Sequence, residues 1–179
     1  VTGRSVDDGE TVATKITKKG AGTAAFVRAD MRNADDIAAL FEATVERFGS
    51  LDVLVNNAAV QTETAVEEVT HEDWAYVLET DFRSYWLCAK HAVEQMDEGT
   101  IVNVSSNHAF STMPAHFPYN AVKSGINGMT KAMALDFGPS IRVNTVNPGW
   151  VAVERTTTDM SDEQRQHLDS IHPVGRIGR

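Results

Sequence analysis

A tyrosine and a lysine four residues apart, Tyr119 and Lys123, offer the most direct chemistry in this sequence. On a helix, positions i and i+4 share one face, so the phenol and the ammonium would stand side by side. A free phenol, with a pKa of ~10, is a poor proton donor or acceptor at neutral pH. A fixed positive charge a few ångströms away favours the tyrosinate and brings that pKa towards the working range. Ser106 lies thirteen residues before Tyr119, just after the apolar run Ile101-Val102-Asn103-Val104. Such a run reads as a buried strand, and open α/β sheets place their ligands at the C-terminal ends of their strands. The three side chains together suit proton transfer at a hydroxyl or carbonyl group, with the serine holding the oxygen.

The elements that must position these residues follow from periodicity and caps. Val1 to Arg4 reads as the end of a strand and a turn, and Asp7 to Lys19 as a helix stopped by Gly20-Ala21-Gly22. Ala24 to Val27 is a short strand that ends at Asp30. Asn33, with Asp36 as capping-box partner, opens a helix whose core face is Ile37, Leu40, Phe41, Val45 and Phe48. Leu51 to Val55 is a strand running into Asn56-Asn57-Ala58-Ala59. Thr70, with Asp73, starts a long helical region that reaches about Met96. The strand at 101–105 follows, then a loop at 106–117 and the helix with Tyr119 and Lys123. Ile141 to Val146 is the next strand, broken by Pro148-Gly149, and Ser161 with Gln164 caps a last short helix. Strands alternating with helices predict a single α/β domain built on a doubly wound parallel sheet.

Composition narrows the partners. The chain has 179 residues, 42% of them hydrophobic, and a net charge of −9. That balance argues against nucleic acid or an anionic membrane surface as the main partner. The lone Cys88 rules out an internal disulfide and fits a reducing compartment, so a cytoplasmic location is expected. No run approaches the ~18 apolar residues of a membrane span, and no metal-ligand pattern stands out.

These motifs, in register along nearly the whole chain, resemble the short-chain dehydrogenase/reductase family. Asn56-Asn57-Ala58-Ala59 resembles its Asn-Asn-Ala-Gly segment; Ser106, Tyr119 and Lys123 match its catalytic serine, tyrosine and lysine. Pro148-Gly149 matches the turn beside the nicotinamide, and Asp30 the aspartate that reads the adenine. The resemblance implies a Rossmann-like dinucleotide-binding domain over residues 1–179 that transfers a hydride between a nicotinamide cofactor and an alcohol or carbonyl substrate. Tyr119 would act as general acid or base, Lys123 would tune it and hold the ribose, and Ser106 would bind the substrate oxygen. Arg4, Asp30, Met31, Asn57, Ala58, Ala59, Pro148, Gly149 and Val151 fall on the cofactor side. An arginine at position 4 suits a 2′-phosphate better than a ribose diol, which favours NADP, with NAD as the alternative. Family members commonly pair through their long helices. Trp86, Leu87, Val93, Ile126, Met129 and Met133, with Gly125 and Gly128, are therefore expected to form a dimer or tetramer interface.

Several departures accompany the resemblance. Residues 1–4 align with the family's second strand, so the first strand with its glycine-rich loop, and the last strand, are expected to lie outside these 179 residues. The second and fourth strands would then expose unpaired edges. Asp81 stands where the family has a catalytic asparagine, at an expected distance of ~7 Å from the Tyr119–Lys123 pair with a water between; an ionised carboxylate accepts hydrogen bonds but cannot donate them. Val153 replaces a threonine that bonds the nicotinamide amide. These two positions raise an alternative reading, a weakly active or non-catalytic nucleotide-binding and oligomer-forming relative. Asn107, His108, Phe110, His116, Phe117 and Trp150 are expected near the pocket mouth, and 153–175 forms the substrate lid. They would admit sugars, polyols, keto-acids or hydrophobic ketones.

Overall fold

The computed structural model describes residues 1–20, 22–153, 157–158 and 160–178. In chain order it runs β1 (Thr2–Gly3), α1 (Val6–Lys19), β2 (Val27–Arg28), α2 (Ala34–Phe48), β3 (Val53–Asn56), α3 (His71–Val77), α4 (Ser84–Val93), β4 (Gly99–Val104), α5 (Tyr119–Phe137), β5 (Ile141–Val146) and α6 (Asp162–Ile171). A π-helical turn, Leu78–Arg83, joins α3 to α4. The alternation expected from periodicity is present, and every strand pairing is parallel.

Sheet pairing separates into two groups. β1 pairs with β2, Thr2 opposite Val27, while β3, β4 and β5 form a three-stranded sheet in that order. Its register sets Asn56 opposite Asn103 and Ile101 opposite Val143. One face of this sheet is closed: Ile101, Ile141 and Val143 pack with Ile37 and Phe41 of α2, Leu87 and Ala89 of α4, and Met133 of α5. The other face is open, and with period-two alternation it presents Val53 and Val55, 56% and 55% exposed. Fully burying each of these valines would contribute roughly 1.5–3 kcal/mol. Among the described residues β1 pairs only with β2 and β3 only with β4, so each keeps one edge unpaired, as expected.

Local sequence explains the ends of the helices. Thr70 and Asp73 form a reciprocal capping box at α3, and Ser161 and Gln164 do so at α6. The box expected at α2 does not form. Asn33 Oδ1 accepts from the N–H groups of Asp35 and Asp36, but the Asp36 carboxylate turns back to accept from Asp30 N–H at 2.9 Å. The bend after β2 brings Asp30 N–H closer than the cap backbone. Gly49, at φ 83°, ends α2 in the left-handed region, where glycine carries no Cβ penalty. At Gly9 of α1 a Cβ would meet the Phe26 ring at 2.1 Å, so only glycine lets this helix lie on the strand.

Beneath the closed face, Asn56 donates to Asn103 Oδ1 and Asn103 donates to Thr130 Oγ1, both at 2.9 Å. A second apolar cluster of Val77, Tyr85, Val122 and Ile126 joins the π-turn region to α5. Leu87, Ile126 and Met133 are consequently interior, which corrects their assignment to an interface: α4 and α5 use them on each other and on the sheet. Gly125 serves the same packing, since a Cβ there would lie 2.9 Å from the Phe82 ring. Trp86 and Leu135 remain exposed on these helices.

Candidate active site

Each strand delivers one expected site residue just past its C-terminal end: Arg4 after β1, Asp30 after β2, Asn57 after β3, Ser106 after β4 and Pro148 after β5. That edge is the ligand-binding side of an open parallel sheet. The loops are tied to one another there. Asn107 N–H donates to Pro148 O at 2.9 Å, and Ser124 of α5 donates to Ala109 O at 3.0 Å. Val151 bridges to Gly178, returning the C-terminal segment to the turn after β5.

Tyr119 and Lys123 occupy the first turns of α5, and the lysine Nζ lies 5.3 Å from the centroid of the Tyr119 ring. Lys123 also sits 5.5 Å from the Tyr85 ring and donates to Val104 O at 3.3 Å. The same carbonyl accepts from Tyr85 OH at 3.1 Å. Ser106 is buried, accepts from His108 N–H at 3.2 Å and donates to Asn107 Oδ1 at 3.3 Å.

Asp81 is closer than its sequence position suggested. Its Oδ2 lies 3.1 Å from Lys123 Nζ in direct contact, with the two side chains 0% and 1% exposed. Its Oδ1 accepts from Val60 N–H at 2.8 Å. The expected ~7 Å separation with an intervening water is therefore corrected. The extra residue of the π-turn moves Asp81 towards α5, and π-turns are frequent at functional sites. Burial pushes the Asp81 carboxyl above its ordinary value, opposed by Lys123 and the Val60 N–H, and burial lowers the Lys123 ammonium against the pull of Asp81.

The opposite end of the site is richer in charge than expected. Arg32 grips Asp30 with both arms, Nε to Oδ1 at 3.1 Å and Nη2 to Oδ2 at 2.7 Å. These hydrogen bonds, with the Arg32 backbone N–H, hold the Asp30 carboxyl down at about 2. Arg32 also lies over the Tyr76 ring at 5.2 Å, and Arg4 reaches Tyr76 OH at 3.5 Å. An exposed Arg4 beside a second guanidinium fits a phosphorylated ribose. Asp30 has its carboxylate engaged by Arg32, and Met31 is buried in the core rather than facing the cleft. Asn57, Ala58 and Ala59 are exposed along the loop after β3.

At the mouth, His108 and His116 stack at 4.5 Å with planes 11° apart, and His108 meets Tyr119 edge-on at 5.9 Å. Burial and the neighbouring His116 lower the His108 imidazole pKa. Phe117 turns away to Trp74, 5.5 Å between ring centroids, while Phe110 and Trp150 are exposed. Of the segment 153–175 expected to form a lid, residues 154–156 and 159 lie outside the described residues. Sequence reasoning missed Arg32, Tyr76 and Tyr85. Tyr85, four residues beyond Asp81 in a helical region, carried a usable signal; the pairing of Arg32 with Asp30 across a bend did not.

Comparison with known proteins bears directly on this geometry. A family model described as enoyl-(acyl carrier protein) reductase matches residues 1–179. A solved short-chain dehydrogenase/reductase of Serratia marcescens is 33% identical and superposes with a TM-score of 0.90, covering 99% of this chain and 73% of that one. The chain belongs to the short-chain dehydrogenase/reductase family. Among its curated short-chain dehydrogenase/reductase relatives, trans-4-hydroxycyclohexanecarboxylate dehydrogenase of Sinomonas cyclohexanicum is 39% identical over 84% of this chain and 61% of its own length. Glucose 1-dehydrogenase 2 of Bacillus subtilis is 34% identical over 92% of this chain and 66% of its own length. The chain thus spans just under two thirds of these two relatives. No helix among the described residues is long and apolar enough to cross a membrane.

Proposed function

We propose that the protein to which these residues belong is an NADP-preferring alcohol dehydrogenase or carbonyl reductase, using Tyr119, Lys123 and Ser106. The observation that supports it most is the placement of Lys123 Nζ 5.3 Å from the Tyr119 ring, beside a buried Ser106 at the strand ends. When bound, the cofactor supplies or accepts the hydride at the substrate carbon. In reduction the Tyr119 O–H bond breaks and its proton passes to the carbonyl oxygen, which becomes the hydroxyl of the product. In oxidation the tyrosinate takes the proton of the substrate hydroxyl. Ser106 Oγ, held by the His108 N–H, turns its hydroxyl proton from Asn107 Oδ1 to the substrate oxygen as charge builds on it. Arg4 binds the 2′-phosphate, and 1–179 forms part of a single dinucleotide-binding domain. Trp86 and Leu135, exposed on α4 and α5, support assembly as a homodimer or homotetramer. A small-molecule alcohol or carbonyl compound is the substrate, and the cytoplasm is the proposed location.

The test is NADPH consumption by the full-length protein over a panel of ketones, aldehydes, keto-acids and sugars. Turnover that falls at least a hundredfold in Tyr119→Phe supports this reading. Arg4→Ala is expected to raise the NADPH Kd about tenfold and leave that for NADH nearly unchanged, measured by fluorescence titration. A second reading, a nucleotide-binding relative without turnover, is favoured by the engagement of Lys123 with Asp81 and Val104 O. Tight NADPH binding with no turnover across the panel would establish it.

A further inference from the structure

We infer that Asp81 sets the pH range of catalysis: by cancelling the charge of Lys123 it keeps Tyr119 protonated to higher pH, so the pH limbs of both carbonyl reduction and alcohol oxidation lie at more alkaline pH than they would beside an unpaired lysine. The inference rests on the reading of Tyr119 as acid and base.

Its foundation is the contact between Asp81 and Lys123, 3.1 Å apart and closed to solvent. The Val60 N–H fixes the carboxylate on one side, and Val104 O receives the ammonium on the other. α4 contributes Tyr85, with Cys88 behind it, α5 contributes Tyr119, and the loop after β4 sets His108 edge-on to the Tyr119 ring at 5.9 Å. Among the described residues no other charged group acts on either partner.

A lone ammonium near a phenol favours the tyrosinate, whereas an ammonium in contact with a carboxylate is a dipole whose field falls off faster. The location of the shared proton does not matter. Asp81⁻ with Lys123⁺, or neutral Asp81 with neutral Lys123, both give a pair of zero net charge. Reduction needs the phenol as proton donor and is well served by such a pair. Oxidation needs the tyrosinate, which then forms only under alkaline conditions. Asparagine at this position would leave the Val60 N–H its acceptor and, over the pH range in which Lys123 stays protonated, return a net positive charge to the pair. Asp81 is thus a positioning residue, acting on Tyr119 through Lys123.

The experiment compares the full-length parent with Asp81→Asn in both directions across pH 6 to 10, roughly the range in which a phenol tuned by a neighbour titrates. The tyrosinate absorbance of each protein is titrated alongside, with Tyr119→Phe versions subtracted to isolate one phenol. We expect the rising limb of oxidative kcat/KM in Asp81→Asn to move down by on the order of one pH unit. The falling limb of reduction should move the same way, KM should change little, and the Tyr119-dependent absorbance midpoint should shift with the rates. Profiles and absorbance midpoints that overlay those of the parent would overturn the inference. If neither protein turns over any substrate, the proposed function fails by itself, and the absorbance titration still decides whether Asp81 governs the phenol.

Discussion

Two aspartates in this molecule each pair with a cation, and their carboxyls move in opposite directions. Asp30 meets Arg32 at 2.7 Å with its side chain 20% exposed, and its pKa falls to about 2. Asp81 meets Lys123 at 3.1 Å with no exposure, and its pKa rises. The distances differ little; the surroundings differ greatly. Asp30 accepts two side-chain bonds from a planar guanidinium and a third from a backbone N–H, at a surface where water solvates what remains. Asp81 has one backbone N–H and a lysine, and gives up its hydration entirely. An ion pair at contact distance therefore does not reveal which way its carboxyl moves; the balance of donors against lost water does.

The largest effect is expected from removing the cation of the buried pair. Lys123→Met leaves Asp81 as an uncompensated buried charge and should destabilise the full-length protein by about 3–5 kcal/mol in urea melts. Adding Asp81→Asn should restore most of that loss, because the charge is removed while the acceptor for Val60 N–H is kept. A double variant no more stable than the single one would show that Asp81 is not charged in its folded setting.

A smaller effect separates the two aspartates by pH. The depressed pKa of Asp30 contributes stability that is present above 3.8 and lost as the pH falls through about 2. The raised pKa of Asp81 contributes stability that is complete below 3.8 and lost as the pH climbs through its folded value. Thermal midpoints should show Asp81→Asn gaining on the parent as the pH rises above 3.8. The difference between Asp30→Asn and the parent should instead shrink as the pH falls towards 2. Parallel curves for the two variants would break the contrast.

The smallest effect belongs to Asp30 at neutral pH. Its partner Arg32 stands at the surface, so Asp30→Asn should lower the melting temperature only slightly at pH 7, by the margin that then fades towards pH 2. Its expected trace is in NADPH titration, where releasing Arg32 from its carboxylate should alter affinity. A large drop in melting temperature would mean that the pair anchors the bend after β2.

The parallel α/β order was readable because each element carried its own signal: period-two strands, the Thr70–Asp73 box, and Gly49 beyond α2. The pairing of Tyr119 with Lys123 was readable because an unbroken helix fixes i and i+4. The contact of Asp81 with Lys123 was not, since one additional residue in the π-turn rotates the chain away from helical spacing. Nor was the burial of Leu87, Ile126 and Met133, which depends on how α4 and α5 meet rather than on either helix alone. Asp36 was misread for a similar reason: its cap partner was chosen by the bend after β2, across a gap that no local pattern encodes.

The run of side-chain bonds from Asn56 through Asn103 to Thr130 works as a combination lock on the sheet. Side chains alternate along a strand, so sliding β3 by one residue would swing Asn56 to the opposite face and bring Val55 or Asn57 opposite Asn103. Each buried amide left without a partner costs about 1–3 kcal/mol, and a slip would strand several at once. Only one alignment of β3, β4 and α5 opens the lock. Asn57 follows Asn56 directly, Ser106 comes three residues after Asn103, and Lys123 sits seven before Thr130. The chemistry at the rim thus inherits its alignment from three uncharged side chains buried behind it.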